Sequence, residues 1–461
     1  MTGPIPRRRL LQGGAAIGAG TALGLIAAQS ANAAPASTSP DSTGAATTAA
    51  VTPAATVPNQ PPAPLFRDPI FDGASDPTVI YNRQTGEWWM FYTGRRANVA
   101  GQGVAWVHGS DIGIASSSDG GRTWLYRGVA EGLSYQPGRN TYWAPEILWD
   151  GSKYHMFVVF ITGVPINWTT VRTILHYTSD NLWNWEFIGP LTLSSGNVID
   201  PCIYPLPQGS AHRWRMWFKD EGHSSHIYSA DSDDLTNWTV NGPVLTNKGQ
   251  EAPQVFWYDG FYWMGTAGPP INVYRSTDLS TWTIQSTPLL GDPGTRTNDS
   301  ANGNHPFFLS QGGSAYIVYF TDNAGGPRVS AVQAAPLYVN DGVLSADRNT
   351  PFSMNWDPNL TVSLRGGNVG LPGVAFSTPG DGQAVGGQVQ IAVQLTGTGL
   401  RAYDLRVDGG GLQYQYQPKP GTVTFTLDTT TLTNGRHTLL ATATDEFGQK
   451  YTVTRPVVVA N

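Results

Sequence analysis

Short bursts of apolar and aromatic residues, each bounded by Gly, Pro, Asn, Asp or Ser, recur along the chain and predict strands joined by tight turns. In GQEAPQVFWYDGFYWMGTAG, Gly249 to Gly268, two such bursts flank Asp259-Gly260, the two-residue signal of a type I′ turn. The expected element is a β-hairpin with Glu251 at the outer end of its first strand. Alone, an acidic residue ahead of a proline reads as a turn former.

The hairpin is not alone. Pro-opened, aromatic-rich hairpins occur five times: SDPTVIYNRQTGEWWMFYTG, YWAPEILWDGSKYHMFVVF, IDPCIYPLPQGSAHRWRMWFKD, QEAPQVFWYDGFYWMGTAG and NHPFFLSQGGSAYIVYFTD. Their prolines, Pro77, Pro145, Pro201, Pro253 and Pro306, are 68, 56, 52 and 53 residues apart. A second repeated element is a Ser/Asp turn running into Trp, at Trp124, Trp185, Trp238 and Trp282; the first, Ser117 to Trp124, fits the Asp-box pattern. Each period then holds about four strands, and such a unit cannot bury both faces by itself. Radial repetition solves this, so the predicted fold is all-β: a five-bladed β-propeller, with the repeated tryptophans packed between blades. First strands of blades line the central channel. The residues just before the prolines, Asp76, Trp143-Ala144, Asp200, Glu251-Ala252 and His305, are therefore expected around one of its ends.

The flanks differ. Residues 1–33 carry Arg7, Arg8 and Arg9, a short Gly- and Ala-rich apolar stretch and a small-residue site at Ala31-Asn32-Ala33, which resembles a twin-arginine export signal. Residues 34–64 are an Ala/Thr/Pro/Ser tract that cannot build a core and is read as a disordered linker. The propeller is expected over 65–365. A stretch from Thr361, TVSLRGGNVGLPGVAF, looks like a boundary, and the alternating runs over 370–461 predict an immunoglobulin-like β-sandwich of about seven strands. There Tyr414 and Tyr416 alternate onto one face, for packing or for sugar stacking.

Composition narrows the function. Charged residues make up only 13% of the chain, against 16 Trp and 19 Tyr, so clefts should be aromatic and weakly charged. The net charge of −6 argues against nucleic acid, and removal of the three arginines of 1–33, which contain no acid, takes it to −9. A secreted, extracellular monomer is expected, free of the membrane after signal cleavage. Cys202 is the single cysteine, so no internal disulfide can form, and no basic neighbour in sequence marks it as a nucleophile.

Singly, Asp76 and Asp200 could each be a strand-starting Asp-Pro. Together with Glu251 at equivalent places they form a carboxylate cluster, and like charges so placed raise one another's proton affinity at a cost in stability. Glycoside hydrolysis uses such a cluster: one carboxylic acid protonates the leaving oxygen, and one carboxylate activates water or attacks carbon. A third can tune the acid. Trp143 offers a surface for a sugar ring, and an apolar setting for Glu251 would keep an acid protonated by desolvation.

The Asp-Pro of blade one, WAP of blade two, IDP of blade three, Glu-Ala-Pro of blade four and HP of blade five resemble glycoside hydrolase family 43, over about residues 65–360. That resemblance implies Asp76 as general base, Glu251 as general acid and Asp200 as the modulator of the acid, in an inverting enzyme acting on arabinose- or xylose-containing plant polysaccharide. No cofactor is required. His305 matches a channel histidine that in many members lies near a bound ion, commonly calcium, although one His is a weak metal signature. Two departures bear on the sugar: Ala252 stands where glycine is usual, a form resembling branches with galactan activity, and Glu146 stands where Asp is commoner.

Three rivals remain. A retaining β-fructofuranosidase-like enzyme would want Asn-Asp-Pro-Asn-Gly in blade one, where the chain reads Ser75-Asp76-Pro77-Thr78. A sialidase would want six blades and an arginine cluster, and its Asp box is only a turn. A non-catalytic carbohydrate-binding propeller would make the acids dispensable.

Overall fold

The computed structural model describes residues 57–461 apart from 208, 248, 269, 369–372, 398 and 449. The expected signal peptide and the linker up to residue 56 lie outside the described residues. From residue 57 the tract read as linker is ordered against the propeller, which corrects its expected end at 64. The Asn59 carbonyl accepts from the Met354 amide at 3.0 Å, and Asn59 Oδ1 accepts from Arg122 Nη1 at 2.8 Å.

Five four-stranded antiparallel sheets follow in chain order. The first holds β1 (Ala74–Asn82), β2 (Glu87–Gly94), β3 (Ile112–Ser117) and β4 (Leu125–Val129). The second holds β5 (Thr141–Trp149), β6 (Tyr154–Ile161), β7 (Thr173–Ser179) and β8 (Glu186–Pro190), the third β9 (Val198–Pro205), β10 (Trp214–Asp220), β11 (His226–Ser232) and β12 (Thr239–Leu245). The fourth holds β13 (Glu251–Tyr258), β14 (Phe261–Ala267), β15 (Asn272–Ser276) and β16 (Thr283–Ile284), the fifth β17 (Asn304–Gln311), β18 (Ser314–Asp322), β19 (Ser330–Asn340) and β20 (Val343–Ala346).

The inner strands β1, β5, β9, β13 and β17 touch in succession, and β17 touches β1, so the sheets close into a ring of five blades. Burial follows radial position. β1 is buried almost throughout, whereas the outermost β4 alternates between exposed and half-buried residues, as expected for strands covered on two faces and on one. Closure is reinforced ahead of β1, where Phe66 bridges Val332 and Gly73 bridges Ser330 in β19.

Three of the four repeated tryptophans pack between blades, as expected, while Trp124 meets Trp356, beyond the last blade strand, at 6.1 Å. Trp185 meets Phe91 of the preceding blade edge-on at 6.0 Å, Trp238 meets Phe157 at 6.1 Å, and Trp282 meets Trp217 at 5.9 Å. Trp185 is buried and contributes roughly 2–3 kcal/mol by removal from water, and the partly buried Trp238 and Trp282 contribute less. The turns before them share one mechanism: Asp119, Asn181, Asp234 and Asp278 each accept two backbone amides through a single side-chain oxygen. Asp259 and Gly260 have φ of 45° and 90°, the type I′ signature that the sequence predicts.

Behind the last blade a short 3₁₀ turn, Ser363–Arg365, sends Arg365 into the floor of the ring. It donates to Glu146 Oε1 at 3.2 Å and to the Ile147 carbonyl at 2.9 Å, and its guanidinium lies 4.8 Å from the Phe307 ring. Burial raises the proton affinity of Glu146 and the Arg365 charge opposes it. Cys202 is buried nearby, and burial pushes its thiol well above the range of a nucleophile.

The C-terminal domain has eight strands where about seven are expected: β21 (Gly373–Thr378), β22 (Gln383–Val385), β23 (Gln388–Thr396), β24 (Leu400–Val407), β25 (Gly410–Tyr416), β26 (Gly421–Asp428), β27 (Gly435–Asp445) and β28 (Lys450–Val459). They form two sheets, ordered β21-β23-β26 and β22-β28-β27-β24-β25. This sandwich rests on blades three and four. Tyr416 lies 6.5 Å from Trp257, Arg401 donates to the Tyr262 hydroxyl at 2.9 Å, and Phe447 meets Tyr204 at 5.8 Å. Tyr416 packs, while Tyr414 is largely exposed.

Candidate active site

Each inner strand breaks its ladder at its X-Pro step. Ser75 pairs with Thr93 and Thr78 with Phe91, leaving Asp76-Pro77 unpaired, and the same shift occurs at 144-145, 200-201, 252-253 and 305-306. Proline has no N–H for the ladder, so a bulge forms there. The preceding residue turns left-handed each time: φ is 49° at Asp76, 46° at Ala144, 57° at Asp200, 49° at Ala252 and 44° at His305. Five L-residues in a conformation that costs roughly 1 kcal/mol each mark a strained ring at one end of the channel.

Register also sorts the sequence-predicted residues into two layers. Asp76, Asp200 and His305 share the bulge position with Ala144 and Ala252. Trp143 and Glu251 stand one residue earlier, level with Ser75, Ile199 and Asn304.

Contacts tie the layers together. His305 Nδ1 is 3.4 Å from Asp76 Oδ1, the Arg95 guanidinium is 3.8 Å from the same oxygen, and Ser75 Oγ donates to Asp76 Oδ2 at 3.2 Å. Asp200 Oδ2 accepts the Ala252 amide at 3.0 Å, and Thr93 Oγ1 accepts the Ala144 amide at 2.9 Å, so these two bulges are stitched to the preceding blade.

Like Asp76, Asp200 is a buried member of the acidic group. Burial pushes its carboxyl up to about 7; the negative charges of Glu251 and Asp76 add to this, while His305 and Lys219 oppose it. Lys219, in β10, donates to Glu251 Oε2 at 2.9 Å and lies 3.3 Å from Glu221 Oε1. Burial works against the Lys219 ammonium, but Glu251 and Glu221 outweigh it and strengthen its hold on the proton. Glu221 is paired in turn with Arg172.

The apolar setting expected for Glu251 is not found. Its side chain is 48% exposed and ion-paired, because it stands at the strand's open end and the aromatics of its hairpin lie beyond the bulge. The buried carboxyls of the group are Asp76 and Asp200. Trp143 is half-buried: its Nε1 donates to the Val107 carbonyl at 2.7 Å, and its ring meets His108 at 4.8 Å and Trp168 at 6.1 Å.

Sequence reading missed Lys219, Glu221, Arg172 and Arg95. One signal was present: FKDEG follows an aromatic strand with a charged run, in a chain poor in charge.

Among the described residues no group of three or more His, Cys, Asp or Glu side chains is placed to hold a metal ion. Calcium takes about six to eight oxygen ligands, and the close neighbours of His305 here are one carboxylate and, beyond it, an arginine. These residues do not fit a calcium site.

The family model for the bacterial Ig domain matches residues 372–441, which identifies the C-terminal sandwich as Ig-like. Among curated proteins none matches the chain in sequence. Solved structures similar to it include a thermostable family-43 glycoside hydrolase, 18% identical with a TM-score of 0.48, over 63% of this chain and 98% of that one. Another is a family-43 β-xylosidase/α-arabinofuranosidase from a compost microbial metagenome, 16% identical with a TM-score of 0.45, over 61% and 94% of the two chains. An exo-1,5-α-L-arabinanase from a bovine ruminal metagenomic library is 16% identical with a TM-score of 0.43, over 61% and 99%.

Proposed function

We propose that this chain is a secreted glycoside hydrolase of the family-43 kind, cleaving arabinose-, xylose- or galactose-containing oligo- or polysaccharide by inversion, after export through a twin-arginine signal. The observation that carries the reading is the meeting of Asp76, Asp200 and Glu251, from three blades, at one end of the channel, where burial raises the proton affinity of Asp200.

In this reading Asp76 is the general base, oriented by Ser75 and flanked by Arg95 and His305. Glu251 is the general acid: Lys219 anchors its Oε2, while the half-exposed carboxyl reaches the sugar's leaving oxygen. Asp200 is the modulator. Buried between the two, it stores a proton and adds negative charge once ionised, which favours retention of the proton on its neighbour until the glycosidic oxygen takes it. Bond cleavage gives a sugar with oxocarbenium character; water, deprotonated by Asp76, adds from the opposite face, and the leaving alcohol departs with the proton of Glu251.

The test is a screen of the purified chain on arabinofuranosyl, xylosyl and galactosyl substrates, with proton NMR of the first-formed anomer. Hydrolysis with inversion is expected. Retention would transfer the reading to the fructofuranosidase-like mechanism, and no hydrolysis of any substrate would leave a carbohydrate-binding propeller.

A further inference from the structure

The loop between β6 and β7 exposes three apolar side chains within six residues: Ile166, Trp168 and Val171, at 51%, 51% and 70%. Tryptophan is usually well covered, and this one is also fixed from behind. Its ring lies 6.1 Å from that of Trp143 and 5.7 Å from that of His108. His108 is fully buried, and burial lowers its proton affinity, so a neutral ring backs the indole.

The Trp168 carbonyl accepts from Arg172 Nη2 at 2.8 Å. Arg172 is buried, lies 5.9 Å from the Trp143 ring and is paired with Glu221, which shares Lys219 with Glu251. A continuous polar chain therefore runs from the loop backbone to the candidate acid. From the other side, the Val104 amide donates to the Ile166 carbonyl at 3.1 Å, an approach that Gly103 permits because a β-carbon there would strike that carbonyl. The exposed indole is thus held by both neighbouring loops, and little ordering remains to be done on binding.

An exposed, immobilised indole continuous with a carboxylate cluster suits the C–H face of a sugar ring better than an ion or a charged peptide. We propose that Trp168 is the stacking platform of an outer sugar subsite, taking a ring one or more units beyond the one held between the carboxylates. This rests on the glycosidase reading.

The test compares wild type, Trp168→Ala and Trp168→Tyr on xylotriose, arabinotriose and β-1,3-galactotriose and on the matching nitrophenyl monosides. Trisaccharide binding to the Glu251→Gln form of each is measured by calorimetry. The ratio of trisaccharide to monoside kcat/KM should fall by about tenfold in Trp168→Ala, through KM, with weaker trisaccharide binding to match. Trp168→Tyr should restore most of it. An unchanged ratio with hydrolysis intact removes the subsite and leaves the glycosidase reading. Trisaccharide binding that depends on Trp168 in a chain that hydrolyses none of the six substrates removes the glycosidase reading and leaves the subsite. Neither hydrolysis nor binding of any trisaccharide removes both.

Discussion

The Lys219 ammonium donates to the Glu251 carboxylate across 2.9 Å, from the strand beside Asp200's own. It thereby places a buried positive charge in a group of three acids and, with His305, opposes the rise in proton affinity of Asp200. Taking it away lets the acidic group keep its proton to higher pH. In Lys219→Met the alkaline limb of kcat/KM should move up by about 0.5–1 pH unit, while Lys219→Arg should keep the wild-type profile. A Met variant with an unmoved alkaline limb would remove Lys219 from the chemistry.

Glu251→Gln retains the shape of the side chain and cannot give a proton. Hydrolysis of substrates with alkyl or sugar leaving groups should drop by about 10²–10⁴-fold, whereas dinitrophenyl glycosides, whose leaving group departs without protonation, should lose far less. Equal losses on both classes would mean that Glu251 is not the acid.

Asp200→Asn should separate stability from catalysis. Below about pH 4 Asp200 is protonated in folded and unfolded chains alike. Between there and about 7 the folded chain keeps the proton and the unfolded chain releases it, so stability falls as pH rises through this window and the deficit is constant above it. Asparagine never ionises, and its side-chain oxygen can still accept the Ala252 amide. The variant should be more stable than wild type at pH 8, by roughly 1–3 kcal/mol, with the advantage vanishing toward pH 4, and it should be less active throughout. Thermal unfolding across that range reads this directly; an advantage that does not change with pH would place the buried charge elsewhere.

What the sequence disclosed was local or repeated. Asp259-Gly260 dictates its turn through two left-handed residues, and the five X-Pro steps mark their bulges because proline cannot donate to the ladder. The Trp turns gave the inter-blade packing for the same reason: repetition makes each copy a check on the others. What stayed hidden depended on register or on distant segments. Whether Glu251 or Ala252 matches Asp200 is a one-residue question that only pairing settles, and it puts Glu251 one residue before the bulge, where its side chain is half-exposed. Lys219 arrives from the second strand of its blade, and Arg172 from a loop, at offsets that no single motif spans. Ala252, odd in the sequence, has φ 49° with its methyl buried, a conformation that glycine would take at no steric cost. The loops holding Trp168 became legible only through the close approach at Gly103.

The sandwich meets the propeller at the far end of the hairpin that carries Glu251. Tyr416 sits against the Asp259-Gly260 turn, so closely that a β-carbon on Gly260 would collide with its hydroxyl, and it lies 6.5 Å from Trp257. Glu251 begins β13 and Tyr258 ends it, a distance of about 23 Å at the rise of an extended strand. Loss of the Tyr416 ring removes apolar contact at the interface without reaching the carboxylates, and Arg401 on Tyr262 with Phe447 on Tyr204 still holds the domains together. Tyr416→Ala should therefore lower unfolding stability by about 1–2 kcal/mol, seen as a lower Tm, while kcat/KM on nitrophenyl glycosides stays within about twofold, a change of under 0.5 kcal/mol in transition-state stabilisation. A folded Tyr416→Ala protein that loses most of its kcat/KM would show that the sandwich acts on the site through the length of β13, and would give the Ig-like domain a part in catalysis beyond that of a packed neighbour.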